Sequence, residues 1–190
     1  EGYRKGSRVV RLHTGDPSLY GAIQEQMDLL DCDGIPYEVV PGVSAVFAAA
    51  AALRQELTLP DVSQTLILTR MAGRTPVPEP ESLESLASHG ATLVIYLSVQ
   101  RIEEVVSQLS VGYSPQTPVV VAYRVGWPDQ EIVHGTLEDI ARVVQASGIK
   151  RQAIIMIGEV FGARGRDQKT RSRLYDRTFN HGFRSGSSKP

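Results

Sequence analysis

Short runs of Val, Ile and Leu alternate with stretches of helical spacing along almost the whole chain, and that alternation restricts the fold to α/β architecture. The strand-like runs are 8–12, 37–40, 65–69, 92–97, 118–123, 131–135 and 152–157. Helices are expected from Pro17 onward, after Ser44, and over 82–89, 100–109 and 137–146. Leu19, Ile23, Met27 and Leu30 recur at helical spacing, and Gly34 offers a left-handed stop. Alternation of this kind predicts mostly parallel sheets. Only a few residues separate 118–123 from 131–135, so those two runs are expected to pair antiparallel. The polar segment 57–64 contains a proline and reads as a linker. It divides a first α/β domain, residues 1–60, from a second, residues 61–190.

Composition narrows the function. Twenty Lys and Arg face 21 Asp and Glu, which argues against a uniformly basic nucleic-acid surface. The single cysteine, Cys32, excludes an internal disulfide framework and a Cys-rich metal site. The four histidines show no metal-ligand spacing. The longest apolar stretch, 46–53, is Ala-dominated and too short to span a bilayer. A cytoplasmic protein with no membrane partner is expected. Residues 163–190 carry eight Lys or Arg against two Asp, which leaves the rest of the chain net acidic. The last six residues, SGSSKP, read as disordered.

Two turns carry the chemical signal. In VVRLHTGDPSLYG a strand runs into Gly-Asp-Pro and then a helix. That turn sets backbone N–H groups and a carboxylate at the carboxyl end of a strand, where open α/β sheets bind ligands. In VVPGVSA, residues 39–45, Gly42 and Ser44 make a second strand-to-helix turn. Taken singly, each is explained as well by a tight, capped β-α connection. His13 stands beside the first turn and is a candidate for proton transfer, against the plainer reading of a structural histidine.

Together, HTGDPSLYG and VVPGVSAVFAAAA resemble the tetrapyrrole methylases, the class III S-adenosylmethionine methyltransferases. LTRMAGRTPVPE (68–79), PVVVAYRVGWPDQEIVHGTL (118–137) and SRLYDRTFNHGFR (172–184) are similar to the branch that methylates C-11 of precorrin-4 or cobalt-precorrin-4 in cobalamin biosynthesis. The resemblance implies two α/β domains with the site in the cleft between them, and a homodimer. The family opens on a strand and a Gly-rich loop absent from this sequence, so the N-terminal part of the first domain is expected to be missing. The basic 172–184 stretch is expected to be ordered near the site or the dimer interface.

By position, the resemblance assigns Thr14, Gly15, Asp16, Leu19, Ser44, Ala45, Leu97 and Val125 to the cofactor, S-adenosylmethionine. The substrate is then a tetrapyrrole polycarboxylate, which calls for Arg because a guanidinium binds carboxylate in bidentate fashion. Arg70, Arg74 and Arg124 lie just past strand ends and are nominated for that role, with Trp127 as an apolar wall. No metal site and no catalytic nucleophile are implied. Two alternatives stay open: a sibling methylase acting at another ring position or on uroporphyrinogen III, and a binding module without turnover.

Overall fold

The structure is a computed structural model that describes residues 1–163, 178–180 and 182. The expectations for 172–184 and for SGSSKP fall largely or wholly outside those residues. Two compact units are present, Glu1–Ala51 and Ala52–Pro190. The division precedes segment 57–64, which packs with the second unit. Leu57 is buried, its carbonyl accepts from Thr92 Oγ1 at 2.9 Å, and Leu59 bridges Ser63.

The second unit is a five-stranded sheet of β1 (Leu66–Arg70), β2 (Thr92–Tyr96), β3 (Pro118–Tyr123), β4 (Glu131–Thr136) and β5 (Ala153–Ile157). Their order is β1-β2-β5-β3-β4. Only β1 and β2 pair parallel, while β2–β5, β5–β3 and β3–β4 are antiparallel. The expected hairpin is therefore present, and the expected mostly parallel sheet is not. The hairpin is the reason. It reverses the chain once, so β5 arrives pointing the other way and inserts between β2 and β3. Strands joined through a helix still share a direction, but of the three such pairs β1–β2 alone are neighbours, while β2–β3 and β4–β5 are separated in the sheet.

Helices α3 (Leu83–Ala87), α4 (Ile102–Leu109) and α5 (Ile140–Ser147) belong to this unit. Ser82 caps α3 by accepting from the Ser85 N–H, and Gly148 ends α5 in the left-handed region. Leu83, Ile102, Val105, Leu109, Ile140 and Val144 pack against Leu93, Ile95, Val119, Val121, Ile155 and Ile157. The intervening strand residues Val94, Val120 and Met156 are buried too, so both sheet faces are covered.

The first unit departs further from expectation. Residues 8–12 and 37–40 form no strands. A strand exists only through a ladder partner, and neither segment has one among the described residues. Their apolar side chains stay exposed, with Leu12 at 89%. Helix α1 runs over Gln24–Cys32 rather than from Pro17. Tyr20 and Ala22 hold positive φ, so the chain turns before it coils and Leu19 lies outside the helical stripe. Gly34 does stop the helix: its N–H donates to Asp31 and that of Ile35 to Leu30, the six-to-one closure of a left-handed cap. Helix α2 (Ala45–Leu53) starts at Ser44, whose carbonyl accepts from Phe47 and Ala48.

Candidate functional site

Within the first unit the two turns meet. A carboxylate is the joint: Asp16 Oδ1 accepts from the Ser18 N–H at 2.9 Å and Oδ2 from the Gly42 N–H at 3.0 Å. The first bond closes an Asx turn, and the second ties the turns together across 26 positions of sequence. Those N–H donors, Gly42 first and then Ser18, hold the Asp16 carboxyl below its usual 3.8.

Glycine makes the approach possible. A Cβ on Gly42 would stand 2.1 Å from the Gly15 carbonyl oxygen. Gly15 itself has φ +67°, and its Cβ would face Val43, Ser44 and Ala45 backbone at 3.6–3.8 Å. Those are ordinary contact distances, so Gly15 is required for its backbone angle, while Gly42 is required for the seam between the turns. Thr14 is exposed beside it, Ser44 is buried, and Leu19 and Ala45 are half-buried. His13 is half-buried and has no hydrogen-bond partner among the described residues.

A depressed carboxyl contributes order that is complete above its ordinary value and is lost as pH falls through the lowered one. The Asp16 bridge should accordingly hold unchanged from neutrality to about pH 4 and fail only below it. Asp16→Asn removes one acceptor charge at every pH. Its Gly42 amide should exchange faster with solvent than wild type at pH 7, and equal exchange rates would show that the bridge carries no weight.

In the second unit β1, β2 and β3 share a direction, so their carboxyl ends lie along one sheet edge. That edge carries Arg70 and its loop, Leu97 after β2, and Arg124 to Trp127 after β3. Leu97 is left-handed (φ +57°) and 76% exposed, an apolar side chain held outward on a strained backbone. Arg124 is also left-handed (φ +43°). Its guanidinium lies 4.5 Å from the Trp127 ring centre and pairs with Asp129 at 2.9 Å, while its Nε is buried without a hydrogen-bond partner among the described residues. Val125 is half-buried and Trp127 exposed.

The arginines of the first loop differ. Arg70 Nη1 and Nη2 donate to the Thr75 and Pro76 carbonyls at 3.1 and 2.8 Å, so its guanidinium turns back on its own loop. Arg74 is exposed and has no ion pair or hydrogen bond among the described residues. Two further residues matter here that motif reading passed over. Ser98, buried after β2, bonds to Met71, and Arg101 reaches the Ala72 carbonyl. The available signal was a cation at a helix start, where the dipole disfavours it.

Residues 1–141 match the model of the tetrapyrrole (corrin/porphyrin) methylases. The chain belongs to this family. It is thereby a methyltransferase. It is 52% identical to the precorrin-4 C(11)-methyltransferase of Pseudomonas aeruginosa over 98% of its own length and 73% of that protein's. The crystal structure of a cobalt precorrin-4 methyltransferase superposes with a TM-score of 0.81 at 50% identity, covering 83% of this chain and 66% of that one. A uroporphyrin-III C-methyltransferase from Thermus thermophilus, solved with S-adenosylhomocysteine, gives a TM-score of 0.63 at 26% identity. It covers 78% of this chain and 64% of the other. Among the described residues no cluster of His, Cys, Asp and Glu could hold a metal ion, and no helix is long and apolar enough to cross a membrane.

Proposed function

We propose that this methylase transfers the methyl group of S-adenosylmethionine to C-11 of precorrin-4 or cobalt-precorrin-4 in cobalamin biosynthesis, as a cytoplasmic homodimer. The observation that carries the reading is 52% identity sustained over 98% of the chain, far beyond the cofactor turns. The seam between the turns supports a cofactor role there, because Gly15, Asp16, Ser44 and Ala45, which the resemblance assigns to the cofactor, come together at it. Bound there, S-adenosylmethionine supplies an already activated methyl group. The chain's own residues then have a positioning task. In the first unit the two turns hold the donor, and in the second unit Arg74, Arg124 and Trp127 hold the tetrapyrrole carboxylates and ring. An electron-rich carbon of the reduced ring is itself the nucleophile, so no protein nucleophile is needed.

The test is turnover by the full-length protein on precorrin-4, cobalt-precorrin-4 and uroporphyrinogen III, with the methyl position read by NMR. A new methyl at C-11 of one of the first two is expected. Methylation of uroporphyrinogen III alone would replace this reading with that of a sibling enzyme.

A further inference from the structure

The backbone of loop 71–76 is held by side chains from three places. Arg70 grips its far end through the Thr75 and Pro76 carbonyls. Ser98 pins its near end: the hydroxyl is buried, accepts from the Met71 N–H at 3.1 Å and donates to the Tyr96 carbonyl at 2.7 Å. Arg101 holds the middle, with Nη1 donating to the Ala72 carbonyl at 2.6 Å. The Glu104 carboxylate accepts from Arg101 Nε at 2.7 Å and also from Nη2, which fixes the guanidinium plane. The loop closes on itself through the Gly73 N–H and the Thr75 carbonyl, at 3.1 Å.

Arg101 stands where α4 begins, and a cation there opposes the helix dipole. Glu103 and Glu104 in the same turn are what the dipole favours. The position is offset by the bonds to Ala72 and Glu104, for which a forked guanidinium is suited and a lysine is not. Two arginines near this sheet edge thus spend their donors on protein carbonyls. The loop's remaining cation, Arg74, spends none among the described residues.

We infer that Ser98 and Arg101 are positioning residues for substrate recognition, that Arg70 belongs to the same brace, and that Arg74 is the loop's contact to a substrate carboxylate. This rests on the tetrapyrrole reading above. It divides labour among arginines that sequence alone treats alike.

A double-mutant cycle in the full-length protein tests it. Arg74→Ala should raise KM for the tetrapyrrole about tenfold or more and leave KM for S-adenosylmethionine unchanged. Arg101→Ala and Arg70→Ala should do the same, and Arg101→Lys, which keeps a donor for Ala72, should raise it less. In the Arg74→Ala background, Arg101→Ala and Arg70→Ala should add less than about twofold, because they act through Arg74. Losses that multiply would make Arg70 or Arg101 a ligand in its own right and overturn the proposal. An unchanged KM in Arg101→Ala would do so too.

Hydrogen exchange of the 71–76 amides, read without substrate, should quicken in Arg101→Ala and Ser98→Ala. Unchanged exchange overturns the brace whatever the substrate is. A wild-type protein inactive on every tetrapyrrole would instead remove the function and the role of Arg74, with the exchange result still deciding the brace.

Discussion

Gly42→Ala is expected to cut S-adenosylmethionine affinity by about tenfold or more in the full-length protein. The added Cβ would sit 2.1 Å from the Gly15 carbonyl oxygen and 3.0 Å from its carbon. Both are backbone atoms, so no rotamer change relieves the clash and the turns must part. Parting them stretches the 3.0 Å bond from the Gly42 N–H to Asp16 and moves Gly15 away from Ser44. The second unit has its own core and should keep its fold. Titration calorimetry, with circular dichroism as the control for folding, measures both. Wild-type affinity in a folded variant would mean that the seam has no part in cofactor binding. The companion variant Gly15→Val should also weaken binding, since a β-branched residue at φ +67° is strained wherever its side chain goes.

Gly112→Ala is expected to carry the largest stability loss. Its Cβ would lie 2.4 Å from both the carbonyl carbon and oxygen of Ala87, and 2.8 Å from the Ser88 nitrogen. The neighbouring Tyr113 explains why the chain comes so near. Its buried hydroxyl donates to the Ala91 carbonyl at 2.6 Å and draws the turn after α4 onto the end of α3. Burial pushes that phenol up to about 12, so the donor stays protonated at any working pH. Overpacking against rigid backbone costs about 3 kcal/mol, which in a chain of this size lowers Tm by roughly 6–12 °C. Thermal unfolding followed by circular dichroism checks it. A shift under a degree would show that the α3 terminus moves aside freely.

What a chain determines locally was legible here. Residue period and turn chemistry place β1 to β5 and α2 to α5 within a few residues, because each is a property of a short window. Gly34 and the start at Ser44 act as capping chemistry requires. The pairing of the Gly-Asp-Pro turn with the Pro-Gly-Val-Ser turn was legible through family resemblance, and the Asp16–Gly42 bond supplies its physical link. Other features were decided only by contacts distant in sequence. Residues 8–12 and 37–40 have strand composition, yet a strand also needs a partner for its N–H and C=O groups, and composition does not supply one. Arg70, Arg74 and Arg101 have the same side chain in the sequence. Which of them donates to loop carbonyls, and which to nothing among the described residues, was settled by where those carbonyls came to lie. The sheet order was settled likewise. Alternating strands and helices state the direction of each connection, but the insertion of β5 between β2 and β3 depends on packing between residues far apart in the chain.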